Sequence, residues 1–393
     1  MDESKGAKLK STLLTNFKQY SMLIALFFVM IIFEITTNAV LLVPQNVSNL
    51  IFQNAYVVVL ACGMLLCILT GGNIDLSVGS IVGLIGAIAG KLIIENKMNV
   101  YVSILICLVA GLAIGMWHGF WIAYVKIPPF IVTLTGMLIF RGMTLVVLNG
   151  LTLSPFPDEY LKISTGYFPD ILNIEGVNAL TLIVGALATI IYVSMQLYGR
   201  ARKRRKGYEN DHPFGFVIKI VLITTAILLV SWTLSQHKGI PTVLLILAVI
   251  VLVYAYFTNK TVGGRYLYAL GGNAKAAQLS GINTKKVFFF AYTNMAFLAA
   301  VAGLIFAARL NSAAPTAGQG FEMDAIGSCF IGGASAYGGI GTIGGALIGA
   351  AFMGVLNNGM SIMGISSSVQ QIVKGLVLLL AVAFDVVSKR KTK

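Results

Sequence analysis

The chain has 393 residues, of which 57% are hydrophobic and 11% charged, with 28 Lys and Arg against 14 Asp and Glu. A soluble domain carries about 25% charged residues, so this composition excludes an ordinary soluble enzyme and predicts an all-α polytopic membrane protein. The net charge of +14 requires no nucleic acid once the basic residues are assigned to loops flanking a bilayer.

A tail over 1–19 carries Lys5, Lys8, Lys10 and Lys18. The apolar run that follows is too long for a signal-peptide core and leads to no small-residue cleavage site, so it reads as a retained first span over 20–43. Further spans are predicted near 51–70, 74–94, 101–125, 129–149, 178–198, 214–235, 240–258, 287–309, 324–338, 342–358 and 369–387. That is about 10–12 transmembrane helices in one membrane domain over 20–387, with a tail over 388–393. The third and tenth segments are glycine-rich and are expected to be broken or re-entrant.

The break ahead of the third segment reads TGGNIDLSVGS, 70–80. Gly71 and Gly72 interrupt a helix, Asn73 is a good N-cap, and Asp75 then falls in the first turn of the next helix, where a carboxylate is favoured. The structural reading is a self-capped break at the membrane boundary. The functional reading is a hinge or gate beside a translocation path, with Ser77 and Gly79 included. Gly332 and Gly333 mark a second break, and VGSIVGLIGAIAG (78–90) faintly echoes IGTIGGALIGAAF (340–352). That echo suggests a pseudo-repeat of two halves. Asn357 and Asn358, polar within the eleventh segment, join the candidate path residues.

Ionisable residues inside spans mark function by default. Lys219, Lys374 and Asp385 stand near enough to span ends to reach the interface, whereas Glu34 and Arg141 do not. Arg141 must find carbonyls at a broken helix or a carboxylate, and the break at Gly71–Asp75 is the candidate. The outer stretch SPFPDEYLKISTGYFPD, within 150–177, is an ordered cap, a docking surface or a plain solvated connector. Basic residues over 199–213 follow, with Arg200, Arg202, Lys203, Arg204, Arg205 and Lys206 as a positive-inside anchor or a contact for anionic lipid.

The segment 260–286 contains a punctuated short helix. Gly271 and Gly272 turn the chain, Asn273 caps, Ala274 to Ser280 propagate, and Gly281 stops it. Its small side chains, Ala276 and Ala277 with Leu279, let another surface approach closely. Two turns cannot fold alone, so the helix needs a support or a docked partner. With the N-terminus inside, alternating spans gather most basic residues on the inner side and place Asp158, Glu159, Asp170, Glu175, Glu322 and Asp324 outside. Cys62, Cys67, Cys107 and Cys329 all lie in apolar runs without metal-site spacing, and His118, His212 and His237 form no ligand cluster. No phosphate-binding loop and no catalytic constellation is present.

Several of these stretches carry a family resemblance. TGGNIDLSVGSIVGL (70–84), PPFIVTLTGMLIFRGMTLVVLNG (128–150), YALGGNAKAAQLSGINTKKV (268–287), SAAPTAGQGFEMDAIGSCFIGGASAYGG (312–339) and GALIGAAFMGVLNNGMSIMGISSSVQQIVKGLVLLLAV (345–382) resemble the membrane permease of bacterial monosaccharide ABC importers. This is the ribose/xylose/galactoside permease family. The segment 151–235, with two extra spans, resembles its xylose and multiple-monosaccharide branch. Where the family motif reads TGGIDLSVGS, this chain has Asn73 before Ile74.

The resemblance implies a subunit of the bacterial inner membrane with both termini cytoplasmic, working as a homodimer or paired permease. It implies two ATPase subunits that bind ATP and Mg, an extracytoplasmic sugar-binding protein, and no cofactor on this chain. Residues 271–281 would couple to the ATPase. Gly71, Gly72, Asn73, Asp75, Ser77, Gly79, Arg141, Gly332, Gly333, Asn357 and Asn358 would shape the path. An ion-driven secondary sugar transporter is the rival, and a membrane enzyme or channel is a further one.

Overall fold

The computed structural model describes residues 22–170, 176–207 and 213–390. The basic tail 1–19, residues 171–175 and 208–212 of the insertion, and 391–393 lie outside the described residues.

In chain order the helices are α1 Met22–Thr36, α2 Pro44–Leu69, α3 Val78–Glu95, α4 Val100–Val125 and α5 Pro129–Leu148. Next come α6 Asp158–Thr165, α7 Ala179–Arg205, α8 Pro213–Ser235, α9 Thr242–Lys260, α10 Val262–Gly272 and α11 Ala274–Leu279. The last are α12 Thr284–Leu310, α13 Phe321–Ile331, α14 Ile343–Ile362 and α15 Ser367–Arg390. Among the described residues ten helices are long and apolar enough to cross a bilayer.

Two expected spans differ. The first helix ends at Thr36 rather than 43. Glu34 there lies at a helix end, where it accepts the Leu42 N–H at 3.1 Å and holds the turn into α2. The tenth segment is helical only as α13, whose 11 residues rise about 16 Å, half of a ~30 Å hydrocarbon core. Pro44 opens α2 earlier than the apolar run alone suggests, because proline is at home at a helix N-terminus.

Helices in lipid gain little from hydrophobicity and associate through close packing of small residues. The buried centre is α2 and α12, and α12 presents Ala291, Ala296, Ala299, Ala300, Ala302, Gly303, Ala307 and Ala308 inward. Antiparallel to it, α4 lays down Gly111, Gly115 and Gly119. A Cβ at these three would stand 2.4 Å from the Ala300 Cβ, 2.6 Å from the Thr293 carbonyl oxygen and 2.9 Å from the Phe289 ring. By contrast α7, α8 and α15 turn apolar side chains outward along most of their length, as lipid-facing helices do.

One face gathers the ends of α2, α10 and the loop before α14. The Gly339 N–H donates to the Leu69 carbonyl at 3.2 Å, and the Tyr268 hydroxyl donates to the Gly341 carbonyl at 2.8 Å. Met22 at the start of α1 touches Gly333 there. Asp385, near the end of α15, accepts the Ala336 N–H at 3.2 Å and so caps this loop at the basic face. Lys126, Arg200 to Lys206, Lys260, Arg265, Lys275, Lys285 and Lys286 stand at helix ends on this basic face.

On the opposite face the 150–170 stretch is an ordered cap. Leu153 and Ala313 exchange backbone hydrogen bonds of 3.0 and 2.9 Å, and the Thr242 N–H donates to the Gly166 carbonyl at 2.8 Å. The Tyr160 hydroxyl reaches down to the Leu304 carbonyl at 2.9 Å. Tyr167 stacks on His237, with ring centroids 6.0 Å apart. Burial and the neighbouring Lys238 hold His237 below its usual range.

Candidate functional site

Two irregular stretches enter the bundle from opposite faces and meet inside it. The first is 70–77. After α2 ends, Gly71 (φ 125°) and Gly72 (φ 77°) reverse the chain, which only glycine does without steric penalty. The chain then climbs back until the Asp75 N–H faces the Met64 sulfur at 3.5 Å, more than a turn above the end of α2. Asp75 is fully buried.

The local capping differs from the expectation. Asn73 donates to the Thr70 carbonyl and hydroxyl, both at 3.3 Å, so it closes the preceding turn. The N-cap position of α3 is Ser77. Asp75 therefore precedes the helix and accepts the Ser77 N–H at 2.8 Å and its hydroxyl at 2.6 Å. The other carboxylate oxygen, Oδ2, has no hydrogen-bond partner among the described residues, and neither have the buried polar atoms of Ser80, His118 and Tyr292. Buried polar groups are normally satisfied, so this part of the bundle keeps unused hydrogen-bonding capacity.

The second irregular stretch is 311–320, between α12 and α13. Asn311 ends α12 in the left-handed conformation, and Gly318 and Gly320 (φ 76° and 78°) bend the chain into α13. Here the second break touches the first turn of α3, directly after the first break. A Cβ at Gly79 would lie 2.1 Å from the Gly318 carbonyl oxygen, and one at Gly318 would lie 2.0 Å from that of Gly79. Arg141 binds this second break rather than the one at Gly71–Asp75. Its Nη1 donates to the carbonyls of Ala317 at 2.6 Å and Pro315 at 3.1 Å, which satisfies backbone groups stranded at membrane depth. Gly79→Ala is expected to destabilise the protein by about 1–3 kcal/mol. A lower thermal midpoint of the purified chain would register it, and an unchanged midpoint would contradict this contact.

The first turn of α13 carries a polar node. Asp324 is fully buried, not on an outer loop. It accepts the Tyr56 hydroxyl at 2.7 Å and pairs with Lys374 Nζ at 2.9 Å, with Asn357 Nδ2 at 3.4 Å. Lys374 thus turns inward, and α15 is fastened to α13, α2 and α14 through one carboxylate. Glu322, also expected outside, is half-buried beside Arg141. Arg309, half-buried in the last turn of α12, lies near Tyr56.

Asn357 and Asn358 part company. Asn358 forms an amide cluster with Asn46 and Gln53 of α2, at 2.9 to 3.2 Å, and fixes the α14–α2 contact. Gly332 packs its backbone on Gly345 of α14, and Gly333 (φ 82°) ends α13 at the basic face.

On that face α10 and α11 form a bent pair. Gly271 and Gly272 belong to the last turn of α10 rather than to a turn, and the bend falls at Asn273. A Cβ at Gly271 would be 1.9 Å from the Leu69 carbonyl oxygen and 2.4 Å from the Gly339 nitrogen. The pair therefore sits directly on the end of α2, where the 70–77 break begins, and on the loop between α13 and α14. Asn273 caps α11 through the Ala276 N–H at 3.0 Å, and Gly281 (φ 84°) terminates it. Ala277 is buried against the bundle, whereas Leu279 is 90% exposed.

Sequence reading missed Tyr56, Arg309 and the inward roles of Glu322, Asp324 and Lys374. The signal available was two acids in the first turn of a short apolar segment just after TAGQG.

A multi-pass helical bundle with two broken segments meeting in a charged interior, and a capped helix pair on its basic face, defines a membrane transport subunit. The family model for the branched-chain amino acid transport system permease component matches residues 46–382, and the chain belongs to this permease family. It is 38% identical to the xylose transport system permease protein XylH of Escherichia coli (strain K12), over 96% of this chain and 94% of that one. It is 39% identical to XylH of Haemophilus influenzae, over 98% and 99%. The ribose import permease protein RbsC of Escherichia coli (strain K12) is 37% identical over 87% and 85%. No solved structure matches.

Proposed function

We propose that this chain is the transmembrane subunit of an ATP-driven importer that carries a monosaccharide, xylose or a related pentose or hexose, into the cell. The observation that carries the reading is the seat of α10 and α11 on Leu69 and Gly339. Force applied to that helix pair reaches the 70–77 break directly through the end of α2 and the start of α14 through the loop that precedes it. The family model bears the name of amino acid permeases, but relatives that match from end to end are named for xylose, which favours a sugar.

In this reading the basic face is cytoplasmic, as positive charge dictates, and both termini lie there. Two copies of the chain form the path, and two ATPase subunits bind ATP and Mg beneath them. A sugar-binding protein delivers substrate to the cap over 150–170. ATP-driven closure of the ATPase pair moves α10 and α11, and the contact between 70–79 and 311–320 shifts between inward and outward access. The oxygen of Asp75 that has no partner among the described residues favours an ion-coupled transporter instead.

Competition of labelled xylose uptake by unlabelled ribose, arabinose, galactose and leucine, in cells expressing the chain with its neighbouring subunits, tests the substrate. Sugars are expected to compete and leucine to have no effect. Competition by leucine alone would overturn the sugar reading.

A further inference from the structure

We infer that Glu322 and Arg141, with Gln319 at the rim, form a contact site within the membrane for hydroxyl groups of the transported neutral sugar; this rests on the sugar-permease reading above. The two side chains lie along one face of α3. A Cβ at Gly79 would stand 2.6 Å from Glu322 Oε2, and a Cβ at Gly83 would stand 3.2 Å from Arg141 Nη1. Those glycines are one turn apart, which spaces the carboxylate and the guanidinium by roughly 6 Å along the helix. Each charge is close enough to bear on the other. Among the described residues they nevertheless form no ion pair within 4.0 Å, whereas Asp324 and Lys374 do.

The contrast with that second pair decides the assignment. Asp324 is sealed and saturated by Tyr56, Lys374 and Asn357. Glu322 and Arg141 are each half-buried, the Glu322 carboxylate takes only backbone N–H groups, its own and that of Gly320, and Thr316 and Gln319 beside them are exposed. Arg141 spends Nη1 on two backbone carbonyls, which leaves most of its five N–H donors free. Ionisable groups at membrane depth that are neither sealed nor paired face a polar space. An acceptor and a fork of donors, held apart by the width of a small polyol, suit a neutral molecule with several hydroxyls. An anionic solute would be repelled by Glu322, and a cationic one by Arg141.

The test uses the complete importer, with its ATPase and a saturating loaded binding protein, in liposomes. Uptake of xylose and of each monodeoxyxylose is measured for wild type, Glu322→Gln and Arg141→Lys. A site built to bond a hydroxyl rejects the analogue lacking it. Glu322→Gln is therefore expected to lower xylose uptake roughly tenfold while one deoxy sugar falls much less, so that discrimination at that hydroxyl collapses. A uniform fall for every sugar, or no fall, overturns the site. Failure of wild type to take up any pentose or hexose overturns the underlying reading instead.

If either variant does not assemble, Gln319→Cys supplies the readout, since Cys62, Cys67, Cys107 and Cys329 are all buried. Modification by a water-soluble thiol reagent is expected to slow several-fold during xylose turnover, and an unchanged rate contradicts the site.

Discussion

Lys374→Met is expected to be among the most damaging substitutions in the chain, although α15 otherwise faces outward. Removing the ammonium leaves the Asp324 carboxylate buried with only Tyr56 and Asn357 as donors. Breaking one side of a buried pair removes about 3–5 kcal/mol. The stake is raised because the same carboxylate joins four helices, α2, α13, α14 and α15, at a depth where water does not compensate. The double variant Asp324→Leu with Lys374→Met is expected to recover much of the loss, since neither charge is then stranded. Monodispersity and thermal midpoint of the detergent-extracted chain would show the order: wild type, then double variant, then single variant. Equal stability of single variant and wild type would mean that the pair does not form.

The second large effect is functional rather than structural. Leu279→Glu is expected to abolish sugar-stimulated ATP hydrolysis, by more than tenfold, while the chain still folds. Leu279 is 90% exposed on a two-turn helix, and an isolated exposed leucine on a rigid support is a natural anchor for a partner pocket. Burying a new carboxylate in that pocket would be strongly unfavourable. Ala277→Glu works as the contrast. Ala277 is 5% exposed, so a glutamate there would prise α11 from the bundle and lower stability as well as coupling. ATPase activity of the complex and the thermal midpoint of the permease, measured together, separate the two. Stimulated hydrolysis unaffected by Leu279→Glu would move the docking surface elsewhere.

The helical spans were legible because apolar runs of this length have few other uses, and the cap at Asn273 with the stop at Gly281 could be read from residue type alone. The glycine pairs correctly located the reversal at Gly71–Gly72, where positive φ is required. They failed at Gly271, whose lack of a side chain serves close packing on Leu69 within a helix. Sequence cannot separate those two uses of glycine. The Gly111, Gly115 and Gly119 row on α4 was likewise silent until α12 stood beside it.

Arg141 was expected to find either carbonyls at a broken helix or a carboxylate, with the Gly71–Asp75 break as candidate; it binds carbonyls, but at the break before α13. Proximity in space to Gly83 of α3 is not written in the spacing. Asp324 and Glu322 were misplaced because alternation treats acids beside a loop as outer residues. The chain instead dips between Asn311 and Gly320, which carries both acids into the bundle.

The most direct test of the central claim is xylose uptake into liposomes containing the chain, its ATPase and its binding protein, with an ATP-regenerating system inside and ionophores collapsing every ion gradient. ATP-driven import is predicted to continue undiminished, to stop without ATP, and to stop with Leu279→Glu. Uptake that needs no ATP and disappears with the ionophores would contradict the account and make this an ion-coupled transporter.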